Sequence, residues 1–91
     1  MISEKEIHPH LASRMRERGI TLEEINTTLR DGWPAQDAKE GVTGRVYVFR
    51  YGKEWVGKVF DEKEVSVYYK IAKGKVVVLT AKARYGRFPG R

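Results

Sequence analysis

His10-Leu11-Ala12-Ser13-Arg14-Met15-Arg16-Glu17-Arg18-Gly19-Ile20, continued without a break by Thr21-Leu22-Glu23-Glu24, decides how the first third of the chain folds. Pro9 just upstream has a fixed φ and no amide donor, which suits the first position of a helix, with His8 as a modest cap. Leu11, Ala12, Met15 and Gly19 fall on one helical face while Arg16 and Glu17 look outward, and Gly19 reads as a left-handed stop. Thr21 with Glu24 three residues on is a capping box, and Leu22, Ile25 and Leu29 carry a second amphipathic helix to Asp31-Gly32. The spacing therefore predicts a helical hairpin over residues 8–32. It also sets His10, Arg14 and Arg18 one turn apart on a single ridge, a row suited to handling phosphate.

Beyond the hairpin the pattern changes. Residues 33–44 mix Trp33, Pro34 and two glycines and read as a linker or an edge strand. Period-two alternation then predicts strands at 45–51, 54–60, 65–72 and 76–83, rich in valine and aromatics. Gly52-Lys53, Asp61-Glu62-Lys63-Glu64 and Lys73-Gly74-Lys75 read as the turns between them. The expected architecture is α+β, one domain over residues 1–91. Two N-terminal helices pack on one face of a mainly antiparallel sheet of four to five strands, with the meander at 45–83 and a basic tail at 84–91. Alternation assigns Val65, Val67, Tyr69 and Ile71, with Val77, Leu79, Ala81 and Ala83, to the core face. Tyr68, Lys70, Thr80 and Lys82 then share the other face, an arrangement that one bulge would scatter.

Charge divides the chain. Residues 1–41 carry 6 Lys/Arg against 8 Asp/Glu, a net of −2, while residues 42–91 carry 12 against 4, a net of +8. With a pI near 9.7, the sheet half should attract polyanions by steering and counterion release. The plain alternative is that its lysines solvate exposed strands. Cysteine is absent, which excludes disulfides, thiolate metal sites and cysteine nucleophiles. Two histidines, His8 and His10, with no carboxylates at suitable spacing, do not make a zinc site, so neither metal nor other cofactor is expected. No apolar run reaches the roughly 20 residues of a membrane span, and the first residues lack the basic-then-apolar order of a secretory signal. A cytoplasmic protein with no membrane partner is the expectation.

The segment from His10 through Arg14-Met15 and Arg18-Gly19-Ile20, the capped second helix, and a last strand reading Val77-Val78-Leu79-Thr80 resemble a small bacterial family catalogued as domain of unknown function 4258. The resemblance runs from His10 to about Tyr85 and is weak through residues 33–60. It implies the two-helix, four-strand fold shared by the RelE, barnase, EndoU and colicin group of ribonucleases and toxins. RNA cleavage or RNA binding is implied with it, although one fold hosts many functions. By position, the family's histidine falls on His10, its arginines on Arg14 and Arg18, and its last-strand threonine on Thr80.

Metal-free RNA cleavage uses the adjacent 2′-hydroxyl as nucleophile, so a protein must supply a proton acceptor, a proton donor and positive charge for the transition state. His10 is the candidate acid or base, Arg14 and Lys70 are the candidates for charge, and Thr80 is a candidate for positioning. Arg18, Tyr68, Lys82, Arg84, Tyr85 and Arg87 are candidates for holding the RNA strand. Each has a plain counterpart: a helix-start histidine, helix ion pairs for Arg14 and Arg18, an ordinary strand threonine, solvated lysines, packing tyrosines and a frayed tail. The expectation is a metal-independent endoribonuclease, in the setting of a toxin with an acidic antitoxin partner. The alternative is a non-catalytic RNA-binding or protein-interaction module.

Overall fold

The computed structural model of the chain describes residues 2–89. A single 3-10 turn (Glu4–Glu6) precedes α1 (Pro9–Arg18) and α2 (Leu22–Asp31). Four strands follow: β1 (Trp33–Pro34), β2 (Thr43–Trp55), β3 (Lys58–Ala72) and β4 (Lys75–Gly86). They form one antiparallel sheet in the order β1-β2-β3-β4. The helices lie on one face of it, so the class is α+β, as the caps and alternation predict. Among the described residues no helix is long and apolar enough to cross a membrane.

The helix ends follow from their residues. His8 caps α1, its Nδ1 accepting from the Leu11 amide at 3.2 Å. Gly19 ends α1 at φ +68, and an added Cβ there would stand 2.5 Å from the Trp55 ring, so handedness and space both require glycine. Thr21 and Glu24 form the reciprocal capping box of α2. Asn26 on α2 clamps the N-terminal segment, giving and accepting one 2.9 Å hydrogen bond with the Ile2 backbone.

Leu11, Ile20 and Ile25 meet Val65, Val67, Val78 and Ala81 in the layer between helices and sheet, with Met15, Leu22, Leu29 and Phe49 packed around them. Leu11, Ile25, Val65 and Val67 are fully buried. Truncating one of the larger of these to alanine costs about 2–5 kcal/mol in a core of this kind.

The strand boundaries differ from the sequence expectation. The predicted strand 54–60 is instead the closed end of a β2–β3 hairpin, whose two-residue loop is Val56-Gly57 at φ 51 and 81. Gly52-Lys53 is no turn but a register irregularity inside β2, between Arg50 and Lys53. Asp61–Glu64 is no turn either, because all four residues lie inside β3, and Glu62, Lys63 and Glu64 pair with both β2 and β4. Lys73-Gly74 is the second hairpin loop, at φ 52 and 76, close to the predicted place. Residues 33–44 contribute the two-residue edge strand β1, a loop, and the first two residues of β2.

In β4, Tyr68 pairs with Thr80 and Tyr69 with Val78, so Leu79 is an extra residue. The bulge reverses the faces on its far side. Val78 is 3% exposed and Val76 packs on the core, whereas Val77 is 40% exposed, the opposite of strict alternation. Ile71, assigned to the core by alternation, is 63% exposed near the β3–β4 loop.

Candidate functional site

The face of the sheet without helices carries a grid of six side chains. Along β3 they are Glu64, Ser66 and Tyr68; across β4, in direct register, they are Arg84, Lys82 and Thr80. Successive members of one strand face lie two residues apart, about 6.6–6.8 Å. A cleft of about 410 Å³ opens over this grid, floored by Glu64, Ser66 and Tyr68, flanked by Lys82 and Arg84, and walled by the segment from Trp33 to Asp37. A second hollow of about 350 Å³ continues from it past Leu79 and Thr80 to Lys39 and Val42. Tyr68, Lys82 and Asp37 line both.

Two carboxylates sit among these cations. Glu64 is 5% exposed and accepts from Arg84 Nε at 2.8 Å. That hydrogen bond, then the charge of Glu64, raises the Arg84 pKa further. Asp37 accepts from the Tyr68 hydroxyl at 2.8 Å and from Lys82 Nζ at 3.2 Å. These two hydrogen bonds, Tyr68's first, hold the Asp37 carboxyl below its ordinary range. Asp37 in turn raises the Lys82 ammonium. Burial, followed by the bond to Asp37, raises the Tyr68 phenol. Lys82 Nζ also stands 5.0 Å from the centre of the Tyr68 ring.

The structure brings Tyr68, Thr80, Lys82 and Arg84 together on this face, and Lys70 lies one step beyond Tyr68, opposite Val77. His10 does not join them. It is an exposed residue of α1 in the helix layer, its ring stacked on His8 at 6.1 Å, on the other side of the sheet from Lys82. Arg14 pairs with Glu17 on the same helix at 2.9 Å. Arg18 NH1 donates to the Ala81 carbonyl of β4 at 2.7 Å. The ridge of His10, Arg14 and Arg18 exists, and α1 turns its apolar side to the sheet, which leaves the ridge apart from the lysines.

Tyr85 belongs to the helix side as well. Its ring stacks on Trp55 at 4.8 Å and its hydroxyl donates to the Arg18 carbonyl at 2.6 Å, so it packs the fold and is not offered to a base. The expected basic tail is partly strand: Arg84, Tyr85 and Gly86 end β4. Arg87 pairs with Asp61 at 2.6 Å, and the Phe88 amide donates to Glu62 at 2.6 Å, which folds residues 87–88 back on β3. Gly90 and Arg91, the rest of that tail, lie outside the described residues.

Sequence reading gives no role to Glu64, Ser66 or Asp37. Ser66 already falls on the Tyr68 face by alternation within 65–72, and Glu64 joins it once Asp61–Glu64 is read as strand and not as turn. Asp37 carries no local signal, because its partners lie 31 and 45 residues away.

Compared with protein-family models, curated proteins and solved structures, the chain matches none.

Proposed function

We propose that this protein is a metal-independent endoribonuclease whose reaction centre is the helix-free sheet face, with Glu64 taking the proton-accepting place that sequence reading gives to His10. The observation that carries the reading is a buried carboxylate, Glu64, on the floor of a cleft whose lining also holds Lys82, Arg84 and Tyr68, with the exposed Asp37 at its wall. A surface that only binds a polyanion gains nothing from an anion at its floor, whereas cleavage by an adjacent 2′-hydroxyl requires a base there. The order of two helices and four strands, and the net +8 of residues 42–91, support the same reading.

In this scheme Glu64 accepts the 2′-hydroxyl proton, the 2′-oxygen bonds to phosphorus, and the bond from phosphorus to the 5′-oxygen breaks. Lys82 gives its proton to the leaving 5′-oxygen. Arg84 engages Glu64 through Nε, and its remaining guanidinium donors face the charge that develops on phosphorus. The products are a 2′,3′-cyclic phosphate and a 5′-hydroxyl. A cationic face of this kind also suits masking by an acidic antitoxin, the setting that the family resemblance implies.

The test is cleavage of single-stranded RNA in the presence of a chelator, comparing wild type, Glu64→Gln and His10→Ala. Glu64→Gln should lose about 100-fold or more in rate, His10→Ala should stay within about twofold, and a 2′-deoxy substrate should resist all three. Equal rates for wild type and Glu64→Gln would remove Glu64 from the chemistry. The second reading, a non-catalytic RNA-binding module, is favoured by the direct cross-strand register of Glu64 and Arg84, a pair that a sheet forms for stability alone. Salt-sensitive binding without any product would select it.

A further inference from the structure

We infer that Tyr68 and Lys82 form a seat for one RNA phosphate, and that Asp37 fills this seat in the resting protein, acting as an internal stand-in that separates the two hollows of the cleft. The inference rests on the RNA reading above and adds the position of a phosphate and a gate beside it.

The Asp37 carboxylate bridges two donors brought from different strands, the Tyr68 hydroxyl on one oxygen and Lys82 Nζ on the other. A phosphodiester presents two non-bridging oxygens and one negative charge, so it satisfies the same pair of donors. Tyr68 is 7% exposed and fixed in the sheet, whereas the Asp37 side chain is 60% exposed and the Lys82 side chain 53%. An ion pair this open to water is worth no more than about fivefold in an equilibrium constant, so a phosphate can displace it.

Asp37 stands where both hollows meet, with Arg84 and Trp33 in the first and Lys39 and Thr80 in the second. Moving its carboxylate aside joins them into one groove with cations at both ends. The loop that carries Asp37 is attached by few backbone hydrogen bonds. Ala35 donates to Gly44 at 2.9 Å before Asp37, and Val42 donates to Lys39 at 3.0 Å after it. The occupant that fits such a groove is a single RNA strand crossing from Arg84 to Lys39, with one phosphate between Tyr68 and Lys82.

The experiment measures fluorescence anisotropy of a short labelled oligouridylate at several salt concentrations, with wild type, Asp37→Asn, and Asp37→Asn combined with Lys82→Gln. Asparagine keeps the acceptor for Tyr68 and removes the charge. Asp37→Asn should bind about fivefold tighter than wild type, with a salt slope steeper by up to about 0.7 because no displaced carboxylate remains beside the seated phosphate. Adding Lys82→Gln should cancel both changes. In parallel, inorganic phosphate should shift the NMR signals of Tyr68 and the Lys82 ammonium in Asp37→Asn more than in wild type. If wild type binds RNA and Asp37→Asn binds it no tighter with an unchanged slope, the seat is overturned while the RNA reading stands. If no form binds the oligouridylate but phosphate shifts Tyr68 and Lys82, the anion seat stands and the RNA reading falls. Failure of both measurements removes both.

Discussion

Lys63 and Glu24, 39 residues apart in sequence, meet at 2.8 Å between the sheet and α2. Lys63 is 2% exposed, its ammonium also donates to the Gly19 carbonyl, and it lies 5.5 Å from the Tyr51 ring and 5.6 Å from the Tyr85 ring. One side chain thus joins β3, the α1–α2 turn and the start of α2. Lys63→Met keeps the volume and removes the charge, leaving Glu24 with only its capping bond to Thr21. The expected loss is about 2–3 kcal/mol, below the full cost of a stranded charge because Glu24 keeps access to water. For a domain of this size that is a drop of roughly 10–20 °C in Tm. Adding Glu24→Gln should recover part of it. A loss within experimental error in urea denaturation would show that the pair contributes nothing.

Val56 pays a steric penalty in its loop. It is a β-branched residue at φ 51 followed by Gly57 at φ 81, the backbone pattern that asparagine-glycine fills with least strain. The Val56 side chain is 84% exposed, so it gives no packing in return. Val56→Asn should raise stability by about 0.5–1 kcal/mol. Calorimetry of the variant should register the gain as a higher Tm, and a lower Tm would contradict the loop geometry.

The Leu79 bulge makes neighbouring valines unequal. Val78 is 3% exposed and Val77 is 40% exposed. Lysine at 78 places an unpaired ammonium in the core, at a cost of several kcal/mol, a large fraction of the roughly 5–15 kcal/mol that holds a typical domain folded. Lysine at 77 changes stability by about 0.5 kcal/mol or less. Circular dichroism of the two variants decides the register, and a folded Val78→Lys beside an unfolded Val77→Lys would restore the unbulged alternation.

Tyr85 should titrate late. Burial first, then the negative charges of Tyr51 and Glu24, push its phenol up to about 12. Its folded value lies above the unfolded value near 10, so the folded chain holds the proton more tightly. The resulting stability is complete below about pH 10 and is lost as pH rises through about 12. Ultraviolet titration of wild type against Tyr85→Phe isolates this group, and a difference spectrum with its midpoint near pH 10 would rule out its burial. Tyr85→Phe should also cost about 1 kcal/mol at neutral pH, through the lost hydrogen bond to Arg18.

How much of this was legible beforehand depends on the range of the interaction that fixes each feature. Both helices were readable, because Pro9, Gly19 and the Thr21/Glu24 box act within one turn. The sheet was readable as a sheet, but its turns were not. Gly52-Lys53 and Asp61–Glu64 have turn composition yet are held in strands by partners elsewhere: Lys63 by α2, Glu64 by Arg84. Val56-Gly57 turns although its valine favours a strand. The extra residue at 79 leaves no trace in composition. The candidate site divided along the same line. Tyr68, Thr80 and Lys82 follow from alternation, Arg84 enters only as part of a basic tail that the structure makes strand, and Asp37 depends on a loop returning over the sheet. His10 was placed on the correct helix and the correct ridge, but local spacing does not say which side of the sheet a helix covers.

The two side chains that reach β4 from the ends of α1, the cap His8 and Arg18, have a consequence at high protein concentration. Among the described residues β4 is the last strand of the sheet, with one flank lacking a neighbouring strand. A bare flank of that kind invites another copy to add on and to continue the sheet from molecule to molecule. His8 Nε2 lies 3.0 Å from the Val78 carbonyl and Arg18 NH1 holds that of Ala81, so two acceptors along this border are already engaged. The first helix thereby serves as a plug against fibre growth, and variants that loosen it should be recognised by turbidity before they are recognised by melting.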